Sequence, residues 1–271
     1  MSLSHYLCPI CRSALNSQAS GFHCSNNHHF DRAKEGYVNL LPVQHKHSKD
    51  PGDNKAMVQA RRAFLEQGYY QPLIDKLTGL YREYGDASLP VLDAGCGEGY
   101  YTHQHKTETN QVYGVDIAKN AIKIAAKRYK MCHFSVGTLS HLPFEDEHFG
   151  WLFSIYAPIL EPEFTRVLRS GAYLLTVTPA EDHLFELKSM IYREPQKHDT
   201  GKSPIKELTL VHEEKLNYRM DFTNPDDVMN LLAMTPFAFK TSDSLFEQIK
   251  GLTEFNCQAD FHIRLYQKEK K

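Results

Sequence analysis

Between residues 89 and 178 the chain alternates short apolar runs with amphipathic stretches of helical spacing. The apolar runs at 89–93, Val112–Asp116, His133–Val136, 151–155 and 173–178 predict strands. The stretches between them predict helices, as at 117–129, where Ile117, Ala121, Ile124 and Ala125 share one face. Such alternation is the mark of βαβ units and so of a parallel sheet. Phe255, Cys257, Ala259, Phe261, Ile263 and Leu265 instead alternate strictly, the pattern of an antiparallel strand added at the end of the sheet. Upstream, residues 55–67 predict a helix capped by Asp53 or Asn54 and stopped at Gly68. Pro72 opens a second helix, on which Leu73, Leu77, Leu80 and Tyr84 share a face until Gly85. A polar stretch at 195–204 reads as a mobile loop, followed by a strand region near 208–218 and a helix at 226–233.

Residues 1–35 break this pattern. They are turn-rich, with few apolar residues spaced to make a core, so something other than hydrophobic burial must order them. Three of the six cysteines fall here, in the spacing C-x2-C-x12-C-x3-H over Cys8, Cys11, Cys24 and His28. Two cysteines two residues apart let one tight turn present both thiolates to a single ion, and the second pair completes a tetrahedron. Three thiolates and an imidazole with no open position suit a structural Zn²⁺. His29 is a rival fourth ligand that spacing alone leaves open. The polar segment 12–21 argues for a hairpin ribbon, and Cys96, Cys132 and Cys257 read as inert packed side chains.

Composition narrows the class. The 271 residues leave room for one large α/β domain plus a small appendage, or for two modest domains. No apolar run approaches the ~20 residues of a membrane helix. No secretory signal is visible, so a reducing, cytoplasmic setting without membrane attachment is expected. The net charge of −2 conceals a division. Residues 1–65 carry eight Lys and Arg against four Asp and Glu, and the remainder is net acidic. A basic head of this kind can contact phosphates.

Val91 to Tyr100 run from a strand into D-x-G-x-G-x-G and then a helix, on Asp93, Gly95, Gly97 and Gly99. The glycines let backbone approach a ligand closely, and Asp93 can accept from an amine. A dinucleotide fingerprint would want glycine where Tyr100 stands, which disfavours NAD and FAD. At the end of the next strand, Asp116 can take both hydroxyls of a ribose. This acid-plus-glycine form resembles the loop of Rossmann-like S-adenosylmethionine-dependent methyltransferases. Three positions depart from their usual patterns: Thr138 stands where an adenine-binding aspartate is common, with Leu139 beside it, and Gly150 and Ser170 replace other usual residues.

Ribbon and methyltransferase loop together give nearly the whole chain a resemblance to the bacterial 23S ribosomal RNA (guanine-N1)-methyltransferases of the A type. The resemblance rests on Phe30 to Pro42, Asp50-Pro51-Gly52-Asp53, Gln59 to Leu65 and Tyr70-Gln71-Pro72-Leu73, which are specific to the family, and continues through Ile155-Tyr156-Ala157-Pro158, His183 to Leu187 and Met234-Thr235-Pro236-Phe237. The resemblance implies methyl transfer from S-adenosylmethionine to N1 of one guanine in a hairpin of 23S rRNA. It implies zinc on Cys8, Cys11, Cys24 and His28, cofactor contacts at Tyr70, Gly97, Glu98 and His183, and a homodimer with an RNA cleft between zinc domains. Guanine N1 lies on the Watson–Crick edge, so the base must be extruded and deprotonated. Tyr156, following the fourth strand, can stack on it; the base that removes the proton is not identified by the sequence.

The expected fold is therefore α/β, a Rossmann-like class I methyltransferase sheet, parallel with a final antiparallel strand, plus a small N-terminal zinc ribbon. The expected organisation is a zinc-binding ribbon at 1–35, with a role in RNA recognition, a helical connector at 36–85 and the methyltransferase domain at 86–271. Two rival functions are a methyltransferase for a small metabolite and a non-catalytic zinc-ribbon RNA-binding protein with a degenerate cofactor domain.

Overall fold

A computed structural model describes residues 3–42, 44, 51–200 and 205–270. Lys46, Lys49 and Asp50 of the basic head, and residues 201–204 of the polar stretch, lie outside the described residues.

Strands β1 (Leu3–Leu7), β2 (Ala14–Ser17), β3 (Gly21–His23) and β4 (His29–Asp31) form an antiparallel ribbon in that order. The main sheet comprises β5 (Val38–Asn39), β6 (Val91–Ala94), β7 (Val112–Asp116), β8 (His133–Val136), β9 (Phe149–Ile155), β10 (Leu168–Pro179), β11 (Leu208–Phe222) and β12 (Phe255–Lys268). Its order is β11-β12-β10-β9-β6-β7-β8-β5. The strand with strict alternation, β12, is antiparallel to both neighbours, and every other pairing in the sheet is parallel. It does not close the edge as its position in sequence implies, because the long β11 pairs along its outer side from Leu208 to Phe222. The segment expected to be a helical connector also supplies β5, which extends the sheet beside β8.

The helices follow the local signals closely. In α1 (Lys55–Glu66) the cap is Asn54, whose side chain accepts from the Met57 N–H, which leaves Asp53 free for another partner. Gly85 ends α2 (Gln71–Tyr84), α3 (Lys119–Arg128) falls within the expected stretch, and α6 (Pro225–Ala233) begins one residue before it. The sequence pattern missed α4 (Glu161–Val167), α5 (Phe185–Ile191) and α7 (Asp243–Lys250), each of only seven or eight residues, about two turns, too few for a clear period.

A parallel sheet is buried on both faces, and successive residues of one strand serve opposite faces. Val91, Val112, Trp151 and Leu175 face a core built with Phe64 of α1, Leu77 of α2, Ile122 of α3 and Leu231 of α6. Leu92, Tyr113, Leu152 and Leu174 face a second core, which holds Phe164 and Val167 of α4 and also Tyr6, Leu15 and Phe22 of the ribbon. The ribbon therefore has no separate core; it covers part of one face of the main sheet. The Tyr6 ring meets Phe22, Tyr113 and Phe144 at centroid distances of 5.7, 5.7 and 5.2 Å. Leu7 N–H donates to Pro143 O at 2.8 Å. Arg12 donates to Leu142 O and Phe144 O, and Arg166 of α4 donates to the same two carbonyls. Glu163 and Asp146 pair with Arg166 and offset the repulsion between the two guanidinium groups.

Candidate methyl-transfer site

From β6 the chain winds outward through β7 and β8, then returns to build β9 and β10 on the other side of β6. Such a switch point opens a crevice at the carboxyl ends of the strands, the usual ligand position in open α/β sheets. The crevice here is a cavity of about 710 Å³. Of the sequence-predicted residues, Tyr70, Asp93, Gly95, Gly97, Glu98, Asp116, Thr138, Leu139, Tyr156 and His183 line it. Gly99 does not: a Cβ there would lie 2.9 Å from the Phe134 ring and 3.0 Å from Ala125 Cβ, so this glycine lets the loop pack against α3 and β8.

One end of the cavity is acidic. Asp116 Oδ2 accepts from Gly97 N–H at 2.9 Å and Oδ1 from Ala118 N–H at 2.7 Å, so the carboxylate organises the glycine loop as well as facing the cavity. Asp93 is buried and accepts from Thr102 Oγ1 at 2.6 Å. Burial holds its carboxyl well above the usual range. Burial also raises Glu98, although the Arg61 guanidinium opposes that rise. Arg61 reaches in from α1, pairs with Asp53 at 2.5 Å and donates to Met234 O at 3.4 Å. Asp53, Glu98 and Asp116 more than offset the burial of its charge. In the sequence Arg61 counted toward the basic head; the fold turns it, like Arg12, toward another part of the protein itself. Thr138, where an aspartate is usual, caps the turn Leu139–His141 through its side chain. Gly150 makes room for Leu89, since a Cβ there would lie 2.5 Å from Leu89 Cβ.

The other end is aromatic. Tyr156 leaves β9 with φ of 56°, a left-handed conformation strained for a bulky side chain. Its N–H is held by Val177 O at 3.0 Å. The turn that follows lies close over the glycine loop, and Gly95 permits this: a Cβ there would lie 2.3 Å from Ala157 Cβ. His183 Nε2 lies 3.1 Å from Tyr156 Oη and 3.5 Å from Tyr70 Oη. Asp260 N–H donates to His183 Nδ1 at 3.2 Å. Burial pushes the His183 pKa down to about 3. The imidazole is thus neutral near pH 7, with its proton on Nε2, and acts as a donor there rather than as a base.

Asp53, Arg61, His198 and Met234 to Phe237 also line the cavity and were not selected as site residues from sequence. Their signal lay only in the blocks that carry the family resemblance, except for His198, which had none.

In the ribbon, the ligand atoms of Cys8, Cys11, Cys24 and His28 lie within 4.8 Å of one another. His28 Nδ1 is 3.4 Å from both Cys8 Sγ and Cys24 Sγ, and Cys11 Sγ is 3.7 Å from Cys24 Sγ. Tetrahedral Zn²⁺ with ordinary Zn–S and Zn–N bonds requires edges of about 3.8 Å between sulfurs and about 3.6 Å between sulfur and nitrogen, so the donor set fits zinc. His29, the rival ligand, instead stacks on His23 at 5.9 Å. Ser13 Oγ, 3.0 Å from Cys11 Sγ, supports the cluster from outside.

Comparison with known proteins agrees with this architecture. A family model described as RlmA, N-terminal, matches residues 6–49, and one described as a methyltransferase domain matches 91–176. The 23S rRNA (guanine(748)-N(1))-methyltransferase of Streptomyces fradiae is 37% identical over 66% of this chain and 65% of its own length. The putative 23S rRNA (guanine-N(1)-)-methyltransferase YxjB of Bacillus subtilis (strain 168) is 27% identical over 97% of both chains. A putative 23S rRNA (guanine-N(1)-)-methyltransferase of Micromonospora griseorubida is 30% identical over 93% of both chains. No described helix is long and apolar enough to cross a membrane. With ribbon, glycine loop and overall length all matched, the chain belongs to the 23S rRNA (guanine-N1)-methyltransferase family.

Proposed function

We propose that this protein transfers a methyl group from S-adenosylmethionine to N1 of a guanine in a hairpin of 23S rRNA, acting in the cytoplasm as a homodimer. The observation that carries this reading is the two-ended cavity at the switch point, acidic around the glycine loop and aromatic around Tyr156. The acidic end suits a cofactor that carries a sulfonium, an ammonium and two ribose hydroxyls. Asp116 takes the ribose hydroxyls, and Gly95 and Gly97 admit the ligand close to the backbone while Gly99 holds the loop against the sheet. Tyr70, Asp93, Glu98, Thr138, Leu139 and His183 complete the cofactor wall, and Arg61 faces the cofactor's carboxylate. S-adenosylmethionine supplies the electrophilic methyl group.

The residues of the chain then have to hold guanine N1 in line with that methyl group at short range. Tyr156 presents its ring to the cavity, 43% exposed, and stacks on the extruded base. His183 donates to Tyr156 Oη and holds that ring in place. The zinc cluster is structural: it orders the knuckle from which Arg12 clamps the ribbon onto the sheet.

The test is to incubate the protein with unmodified 23S rRNA and labelled cofactor, then map reverse-transcription stops, because a methyl on N1 blocks base pairing. Incorporation with a stop at one guanine is expected. Label without a stop at any guanine overturns the N1 assignment, and no label at all overturns the substrate.

A further inference from the structure

Pro236 and Phe237 of the short turn Pro236–Lys240 line the cavity, and this turn packs against α5. Tyr192, at the end of α5, meets Phe237 edge-on at 6.1 Å. Two lysines flank this pair: Lys188 Nζ lies 5.7 Å from the Phe237 ring centroid and Lys240 Nζ 5.3 Å from that of Tyr192. Phe239, on the same turn, is 73% exposed, which equals the largest exposure of any apolar side chain described.

Lys188 is the unusual member. It is 5% exposed, yet its ammonium donates only to the neutral carbonyl of Gln196, at 3.2 Å. Among the described residues neither Lys188 nor Lys240 forms an ion pair with a carboxylate. Burial lowers the Lys188 pKa, the signature of a charge without a compensating anion. His198, which lines the same end of the cavity, also has its Nε2 buried without a partner.

A guanine can enter this cavity only if the strand that carries it crosses the mouth, and a strand brings phosphates and neighbouring bases with it. Lysines interleaved with aromatic rings are the chemistry that single-stranded nucleic acid requires. We propose that α5 and the Pro236–Lys240 turn form the lip that grips the RNA strand on either side of the target guanine. Lys188 and Lys240 each take a backbone phosphate, and Phe239 stacks on a neighbouring base. Arg12 and Arg61 of the N-terminal head do not supply this grip, since they are committed to Leu142, Phe144 and Asp53.

This inference rests on the rRNA methyltransferase reading, and the experiment separates the two. Wild type, K188Q, K188R, K240Q and F239A are compared for cofactor affinity by calorimetry and for affinity toward a 23S rRNA transcript across a salt series. K188Q and K240Q are expected to bind RNA roughly tenfold more weakly at low salt, the loss of one charge-assisted hydrogen bond each. Each is also expected to lower the slope of log K against log salt by about 0.7, the contribution of one single-strand phosphate contact. K188R retains both values, F239A weakens binding without changing the slope, and cofactor affinity is unchanged throughout. Because Lys240 and Phe239 are exposed, their variants carry the test if K188Q fails to fold. Wild-type RNA affinity and slope in K240Q and F239A overturn the lip while leaving the activity intact. A wild-type protein that neither binds nor methylates the transcript overturns the activity itself.

Discussion

Asp260 N–H donates to His183 Nδ1, and this contact between strand β12 and the residues after β10 fixes which imidazole nitrogen faces the cavity. With Nδ1 engaged as an acceptor and the ring neutral, the proton resides on Nε2, 3.1 Å from Tyr156 Oη. A histidine beside a methyl-transfer site invites the role of general base for guanine N1. The hydrogen-bond pattern gives it the opposite role, that of a donor which holds the tyrosine.

A pH profile distinguishes the two. His183 stays neutral down to about pH 3, so it contributes no acid limb to kcat/KM. H183Q places an amide donor near the position of Nε2, and its acid limb is expected to coincide with that of wild type. H183A removes the donor and leaves Asp260 N–H without an acceptor, and is expected to lower kcat/KM by about tenfold or more. An acid limb that disappears in H183Q overturns the assignment.

Arg12 and Arg166 converge on Leu142 O and Phe144 O, one from the metal knuckle and one from α4. Each arginine therefore covers for the other. R12A alone is expected to cost about 1–3 kcal/mol of stability in urea denaturation, because Arg166 still satisfies both carbonyls. The double variant R12A/R166A is expected to lose at least about 1 kcal/mol more than the sum of the two single losses. Additive losses would show that the two guanidinium groups act independently.

Acid sensitivity of the fold should arise in part from buried neutral histidines. His105 is 1% exposed, donates from Nδ1 to Tyr101 O at 3.0 Å and stacks on Phe153 at 4.1 Å. Burial pushes its pKa from 6.5 down to about 4. Below pH 6.5 the unfolded chain takes up a proton that the folded chain refuses, so stability is full above 6.5 and falls between 6.5 and about 4. H105N keeps a donor to Tyr101 O but loses the stack, and is expected to be less stable than wild type at neutral pH. Its deficit should shrink by up to about 1.4 kcal/mol per pH unit below 6.5, measured by urea denaturation at several pH values. A deficit that stays constant with pH would show that His105 is not the titrating group.

The local features were legible in the sequence because they are local. The four residues of C-x2-C-x12-C-x3-H need only one knuckle and one hairpin, and the glycine loop needs one strand-to-helix turn. Amphipathic spacing located α1, α2, α3 and β12 for the same reason: each buries one face, and burial of a face leaves a period. The short α4, α5 and α7 left none, and with α5 the sequence reading missed the aromatic and lysine lip.

By itself the sequence determined the βαβ order, the three-cysteine frame of the metal cluster and the glycine turn after β6, since each depends on neighbours a few positions apart; the structure then brought His28 rather than His29 to the cysteines. Tertiary structure decided what depends on contacts across the chain. It placed β12 inside β11, drew Arg12 and Arg61 out of the basic head into the protein's own contacts, and made the ribbon a cover for Tyr113 and its neighbours on the sheet. It also set the His183 proton through a strand 77 residues away. Hydrogen-bond partners and burial set the state of a titratable side chain, and neither is encoded near the residue itself.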